Sequence, residues 1–282
     1  MLHVFAGACN LINDRNEILS LVCEELDLGP FGMLAPKSAG PFNAWLEQDT
    51  PVQVEREAIL LGDRFLSFGT GQQWDPRIPW ERLRASSGRI FARLPHLAEL
   101  LHNHSPEASL ARLVGDEVAS SYPSAEAPPS EILQQILAAA RAPAVKLCRG
   151  VVSHDLEAVR SGAYALSGLG GGLTPAGDDY MVGAMLATWL LYPAGWARSL
   201  AETIVEAAAG RTNRLSTAWL RAAARGEAAL RWHLLLEALT TSDLDGLEDA
   251  VLDLLSVGHT SGADALGGFA EVLNLYKESK KA

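Results

Sequence analysis

The chain has 282 residues, enough for one large or two ordinary domains, and 48% of them are hydrophobic, so a sizeable core is available. Its formal net charge is −11, and its basic residues form no cluster apart from a terminal Lys280-Lys281 pair. This balance argues against nucleic acids and anionic membranes as partners. The three scattered cysteines fit neither a metal site nor a disulfide framework, which favours the reducing cytoplasm.

The first part of the chain has the pattern of short β-strands. Leu2–Leu11 and Ile18–Cys23 flank the turn sequence NDRN. Val52–Leu61 and Phe65–Phe68 flank Gly62-Asp63, which is a hairpin signal. We therefore expect a β-rich N-terminal domain that forms a small antiparallel β-sheet or a partial barrel.

From about residue 90 onward the apolar residues recur with helical spacing, and Ala and Leu dominate. The predicted fold class is therefore α+β, with a β-rich domain over residues 1–90 and an all-helical bundle over residues 91–282. Two of the predicted helices matter below, Glu107–Ser121 and Gly177–Tyr192. The second is expected to lie at the centre of the bundle because it lacks a polar face.

A glycine-rich motif, GLGGGLTPAGDD at residues 168–179, stands at the start of that central helix. Such a turn can bring backbone N–H groups close to a ligand, so Gly170, Gly171 and Gly172 are predicted to bind substrate. Thr174 is predicted to cap the helix and to join the binding site, with Pro175 in the first helical position.

Two nucleotide-binding motifs are excluded by spacing. A P-loop needs a lysine directly after its last glycine, and no lysine follows these glycines. The dinucleotide fingerprint needs a third glycine where this chain has Leu173. A small anion therefore fits the glycine turn better than a nucleotide does.

Asp178 and Asp179 fall in the first turns of an apolar helix, where two carboxylates need a cation, donors or water. They lie about 100° apart around the helix axis, so one can serve the helix terminus while the other faces a pocket. The alternative is that both simply favour the positive end of the helix. We predict both as catalytic residues and as ligands of a divalent cation such as Mg²⁺, although the sequence does not identify the cofactor.

Gly210–Ser216 (GRTNRLS) forms a second polar helix start. Thr212 is predicted to cap a helix whose first turn contains Arg214. A cation there opposes the helix dipole, which indicates an anionic ligand or a nearby aspartate as its partner. The alternative is an exposed arginine that meets a surface glutamate.

Gly258–Asp264 (GHTSGAD) forms a third polar helix start, in which Ser261 and Asp264 fit a capping box. His259 precedes the helix and could face an anion or donate a proton, or it could have a structural role only. We expect the three helix starts to converge on one pocket. The predicted catalytic residues are Asp178, Asp179 and His259, and the predicted substrate-binding residues are Gly170, Gly171, Gly172, Thr174, Arg214, Ser261 and Asp264.

The order GLGGGLTPAGDDYMVG, TNRLS, GHTSGAD resembles one bacterial family. That family was long described as carboxylase-like and is now associated with AllH, a subunit of oxamate carbamoyltransferase in allantoin breakdown. Its first motif is usually GLGPGLTPSGDD, so Gly171 replaces a proline here, and Ala176 replaces a serine and its hydroxyl. The N-terminal HVF and ACNL segments are also similar, so the resemblance covers most of the chain.

The resemblance implies a cytoplasmic transferase subunit in purine-nitrogen or related carboxamide metabolism. The implied reaction is phosphorolysis of oxalurate to oxamate and carbamoyl phosphate, or its reverse. The implied partners are a small anionic metabolite and other subunits of a carbamoyltransferase complex, and a homo-oligomer is also open. A second class of function stays open, in which the chain is a non-catalytic subunit and the glycine motif packs helices.

Overall fold

The computed structural model describes residues 1–23, 26–68, 71–115, 131–241 and 244–281. The chain divides into two compact units, Met1–Pro76 and Arg77–Ala282. The first contains two small β-sheets and the second is helical, which confirms the predicted α+β class. The domain assignment of residues 1–90 and 91–282 stays a prediction.

The first sheet contains four strands in chain order: β1 (His3–Val4), β2 (Ala8–Ile12), β3 (Ile18–Cys23) and β4 (Gly32–Ala35). The first two pairs are antiparallel, whereas β3 and β4 run parallel, with Ser20 opposite Gly32. The strand predicted over Leu2–Leu11 is two strands, because the chain turns between them and the Phe5 N–H donates to the Ala8 carbonyl at 2.8 Å.

The second sheet is an antiparallel meander of β5 (Val52–Val54), β6 (Ala58–Leu61) and β7 (Arg64–Ser67). Gly62 has a φ of +58°, which a glycine adopts readily, and it forms the predicted hairpin turn. A tight turn divides the predicted strand Val52–Leu61, since the Glu55 N–H donates to the Ala58 carbonyl at 2.8 Å. Both sheets bury apolar side chains in one core, which includes Phe42 and Ile59.

Ten α-helices form the described part of the second unit. They are α1 (Trp80–Ala85), α2 (Ser87–His104), α3 (Glu131–Ser153), α4 (Leu156–Leu166), α5 (Ala176–Leu191), α6 (Ala194–Ala208), α7 (Arg214–Ala224), α8 (Leu230–Ala238), α9 (Asp245–Leu255) and α10 (Ser261–Ser279). In the described ranges, none of the helices combines the length and the hydrophobicity needed to cross a membrane.

Helix α5 lies at the centre of the bundle, as its apolar sequence predicts, and 14 of its 16 residues are buried. It packs most extensively against α10. Gly183 and Gly268 set the distance between the two helices: a Cβ on Gly183 would overlap the Ala265 carbonyl, and one on Gly268 would overlap the Tyr180 carbonyl. The two backbones are therefore in direct contact, which leaves no room for larger residues.

We expect Gly183→Ala to destabilise the helical unit by about 3 kcal/mol, because the added methyl group forces α5 and α10 apart. Gly195→Ala in α6 is the matched control. Its Cβ would have no atom within 4 Å, so the higher helix propensity of alanine should leave stability unchanged or slightly higher. Urea denaturation followed by circular dichroism at the helix band measures both. Equal stability of the two variants would contradict the direct backbone contact.

Candidate functional site

The glycine loop, residues 168–174, joins α4 to α5. Gly168 and Gly170 have φ values of +72° and +106°, and a Cβ on Gly168 would stand 2.6 Å from the Arg211 carbonyl oxygen. These two glycines therefore let the loop lie directly on neighbouring backbone. Gly171 and Gly172 form the exposed tip of the loop, and Gly171 has open space where a side chain would begin.

The start of α5 differs from the prediction at one residue. The helix begins at Ala176 with Pro175 as its N-cap, so Thr174 does not cap it. The Thr174 hydroxyl instead donates at 2.9 Å to Oδ2 of Asp179, which lies in the first turn of the same helix. The Gly177 N–H donates to the Leu169 carbonyl at 2.9 Å and so closes the base of the loop.

Asp178 joins the glycine loop to the start of α7. Its Oδ1 accepts the Gly168 N–H at 3.0 Å, and its Oδ2 accepts the Thr212 hydroxyl in a short hydrogen bond. Thr212 therefore does not cap α7, contrary to the prediction, and Asn213 caps it by accepting the Ser216 N–H at 2.9 Å. Both oxygens of Asp178 are thus used to hold backbone segments together.

Asn213 gives the second link between the loop and α7, since its side-chain amide donates to the Leu173 carbonyl at 2.8 Å. Arg214 follows it as the first residue of α7 and is exposed. Over the described ranges, no hydrogen bond or ion pair joins Arg214 to Asp178, to Asp179 or to a surface glutamate. Its guanidinium is therefore available to a ligand.

The start of α10 meets the glycine loop through two hydroxyls, since Ser261 Oγ and Thr174 Oγ1 lie 3.1 Å apart. The helix begins at Ser261 itself, so the predicted capping box between Ser261 and Asp264 does not form. His259 is exposed, two residues before the helix. No hydrogen bond or ion pair is found for His259 within the described part of the chain.

Asp264, in the first turn of α10, is 0% exposed. Its Oδ1 accepts the Ser109 hydroxyl at 2.9 Å and the Leu110 N–H at 2.6 Å. These residues open a single 3₁₀ turn, Leu110–Leu113, in place of the helix predicted over Glu107–Ser121. The last part of that predicted helix, residues 116–121, lies outside the described residues.

Hydrogen bonds therefore bring the three predicted helix starts together, and a shared pocket at this place stays a prediction. Hydrogen bonds connect the N-terminal ends of α5, α7 and α10 in one place, which we call the helix junction. Its members are Thr174, Asp178, Asp179, Thr212, Asn213 and Ser261. Gly171, Gly172, Arg214 and His259 lie exposed on segments directly attached to it. The catalytic and binding roles of these residues stay predictions.

Burial dominates the electrostatics of the junction. It raises the pKa of Asp179 well above its ordinary value, and the nearby charges of Asp264 and Asp178 add to this against the hydroxyls of Ser261 and Thr174. Burial also raises the pKa of Asp178, although the Thr212 hydroxyl and the Gly168 N–H oppose it. Asp179 therefore keeps its proton to a higher pH than an ordinary aspartate does, and a neutral carboxylic acid can donate a hydrogen bond to an anion.

A metal role for Asp178 and Asp179 stays a prediction. In the described ranges, no group of three or more His, Cys, Asp or Glu side chains is placed to hold a metal ion. The two aspartates also hydrogen-bond to different partners, Thr212 and Thr174. A cation at this pair would have to compete with those donors and with the proton on Asp179.

The sequence patterns did not predict one further group of buried side chains, which consists of Glu271, Cys148 and Tyr180. Glu271 of α10 is 8% exposed and accepts the Gly115 N–H at 3.2 Å, and burial raises its pKa. Cys148 and Tyr180 lie beside each other with Sγ and the phenol oxygen 3.5 Å apart. Burial raises the pKa of both groups and makes Cys148 a poor nucleophile.

The raised pKa of Asp264 should make the stability of the folded chain depend on pH. Its pKa is raised by burial from 3.8 to about 6, so the folded chain holds this proton more tightly than the unfolded chain does. The stabilisation that the protonated Asp264 gives the folded chain is complete below pH 3.8 and is lost as pH rises through about 6. The loss amounts to about 3 kcal/mol of unfolding free energy.

Asp264→Asn has no proton to lose, so its unfolding free energy should fall less between pH 4 and pH 7 than that of the wild type. Urea denaturation across this range measures the difference. Asp249→Asn, which changes an exposed carboxylate of α9, is the control and should follow the wild type. Parallel curves for wild type and Asp264→Asn would contradict the raised pKa.

One comparison with known proteins covers the whole junction. The family model described as oxamate carbamoyltransferase subunit AllH matches residues 166–273. This match runs from the end of α4 into α10 and includes all ten predicted site residues. No solved structure matches the chain. Over residues 166–273, the chain is therefore similar to the AllH family.

Proposed function

We propose that the chain is a subunit of a carbamoyltransferase that acts on small carboxylate and carbamoyl anions, of the oxalurate, oxamate and carbamoyl phosphate type. The family match supports a carbamoyltransferase-associated subunit. The observation that carries the substrate class is the convergence of three helix N-termini at one junction, beside an exposed Gly171-Gly172 tip.

The physics of that arrangement favours a small anion. Each helix N-terminus carries a partial positive charge and unpaired N–H groups, and three of them add at one place. A protonated Asp179 leaves more of this positive potential uncancelled than an ionised one would. The Arg214 guanidinium is repelled by the positive N-terminal end of α7. An anion that contacts both the guanidinium and the helix end would offset this repulsion.

Individual roles follow from position. The N–H groups of Gly171 and Gly172 and the Arg214 guanidinium would hold the carboxylate or phosphate group of the ligand. Asp179, which accepts the Thr174 hydroxyl, would orient the paired hydroxyls of Thr174 and Ser261 beside the ligand. His259 would give a proton to the oxamate nitrogen as its bond to the carbamoyl carbon breaks and phosphate takes its place, or would remove that proton in the reverse direction.

A second function is favoured by the hydrogen bonds of two buried carboxyl groups. Both oxygens of Asp178 are engaged in holding the glycine loop to α7, and Asp264 is engaged in holding the turn at Leu110. Carboxylates used in this way stabilise a fold and need no substrate. The alternative proposal is therefore a non-catalytic subunit whose glycine motif packs helices within a larger complex.

Binding by the isolated chain separates the two proposals. We expect calorimetric titration with carbamoyl phosphate to give saturable binding, and Arg214→Gln to weaken it at least about tenfold, because one charged hydrogen bond is lost. Arg221→Gln is the control, since Arg221 lies in the last turn of the same helix. No binding by the wild type, or equal weakening by both variants, would favour the non-catalytic subunit.

A magnesium titration tests the proposed cation role of Asp178 and Asp179. We expect Mg²⁺ affinity to rise with pH, because Asp179 must lose its proton before it can act as a ligand. Asp179→Asn keeps the shape but cannot ionise, so it should lose Mg²⁺ binding while retaining carbamoyl phosphate binding in metal-free buffer. Equal Mg²⁺ binding by both proteins, or none by either, would remove the cation from the proposal.

A further inference from the structure

The outer face of α3 carries a basic groove in an acidic protein. The groove has a volume of about 550 Å³ and runs along α3 beside the start of α4. Its cations are Arg141, Lys146 and Arg149, all exposed. The lining contains one carboxylate, Asp155. It accepts the N–H groups of Glu157 and Ala158 and so faces the N-terminal end of α4.

The floor of this groove has the geometry of a helix-packing surface. Ala138, Ala142 and Val145 follow at spacings of four and three residues, which places them in one line along α3. Arg141 and Lys146 flank that line on its two sides. The opposite side of α3, with Ala140 and Leu147 at 0% exposure, already packs in the core. Helix α3 therefore has a second face that is shaped for a helix and carries positive charge at its edges.

Helix α9 carries the complementary face on the same chain. Its sequence, DGLEDAVLDLL, contains four carboxylates and no cation. Leu247 and Val251 are fully buried, whereas Glu248, Asp249 and Leu252 form an exposed line on the outside, with Leu252 at 36% exposure. Leu244, just before the helix, adds a further exposed apolar side chain at 52%.

The two faces have similar lengths and opposite charges. The 11 residues of α9 span about 16 Å, and the stretch of α3 from Ala138 to Arg149 spans about 17 Å. An exposed leucine on the acidic helix can fill the small-residue floor of the basic groove, and the exposed Glu248 and Asp249 then reach the flanking cations. We propose that α9 of one copy of this chain docks in the α3 groove of a second copy.

This contact is heterologous, because different surfaces meet, so each copy offers one basic and one acidic face. Sedimentation velocity on the full chain at low salt should show concentration-dependent association that weakens at least about tenfold near 1 M salt, where screening is strong. Lys146→Glu/Arg149→Glu should abolish it, and Glu248→Lys/Asp249→Lys should abolish it independently.

An equimolar mixture of the two double variants should associate again, because each altered face then meets a face of opposite charge. Arg198→Glu/Arg221→Glu makes the same charge change on exposed positions of α6 and α7 and should associate like the wild type. Circular dichroism confirms that each variant is folded. A wild type that stays monomeric at low salt, or folded variants whose mixture stays monomeric, would overturn the proposal.

Discussion

The direct backbone contact between α5 and α10 is the constraint on which the site depends. Gly183 and Gly268 remove the side chains that would separate the two helices. As a result, the N-terminal ends of both helices lie side by side, and the Thr174 and Ser261 hydroxyls come within 3.1 Å of each other. Because a packed core transmits displacement, a larger residue at either glycine would displace the residues of the junction.

The same close packing determines the charge of the junction. It buries Asp178, Asp179 and Asp264 near one another, and like charges in a poorly solvated place raise one another's pKa. The fold reduces this concentration of negative charge by raising the pKa of Asp179, by donating to both oxygens of Asp178 and by donating twice to Oδ1 of Asp264. A site that would otherwise repel anions is therefore compatible with them.

The sequence predicted the fold class and the central helix because both depend on local periodicity. The uninterrupted apolar run after Asp179 allows only a buried helix, and the structure has one there. The predicted antiparallel pairing holds for most strands, but β3 and β4 are parallel, which no local pattern indicates. Strand ends were missed where a short polar turn lies inside an apolar stretch, as at Glu55.

The convergence of the three helix starts was also predictable, because each carries glycine and polar residues together. The individual hydrogen bonds were not. Thr174 and Thr212 have the residue type of helix caps, yet each hydroxyl donates to an aspartate of α5 and accepts no N–H of the helix it was predicted to cap. Asp264 similarly reaches Ser109, which is 155 positions away in the chain. Such choices depend on which partners tertiary packing brings close, and single-sequence patterns do not contain that information.

We propose that the three separate helix starts form one anion site. An NMR titration of the ¹⁵N-labelled chain with carbamoyl phosphate tests this proposal. We expect the amide signals of Gly171, Gly172, Arg214 and Ser261 to shift together and to give one common dissociation constant. Shifts confined to a single segment, or different dissociation constants for the three segments, would contradict it.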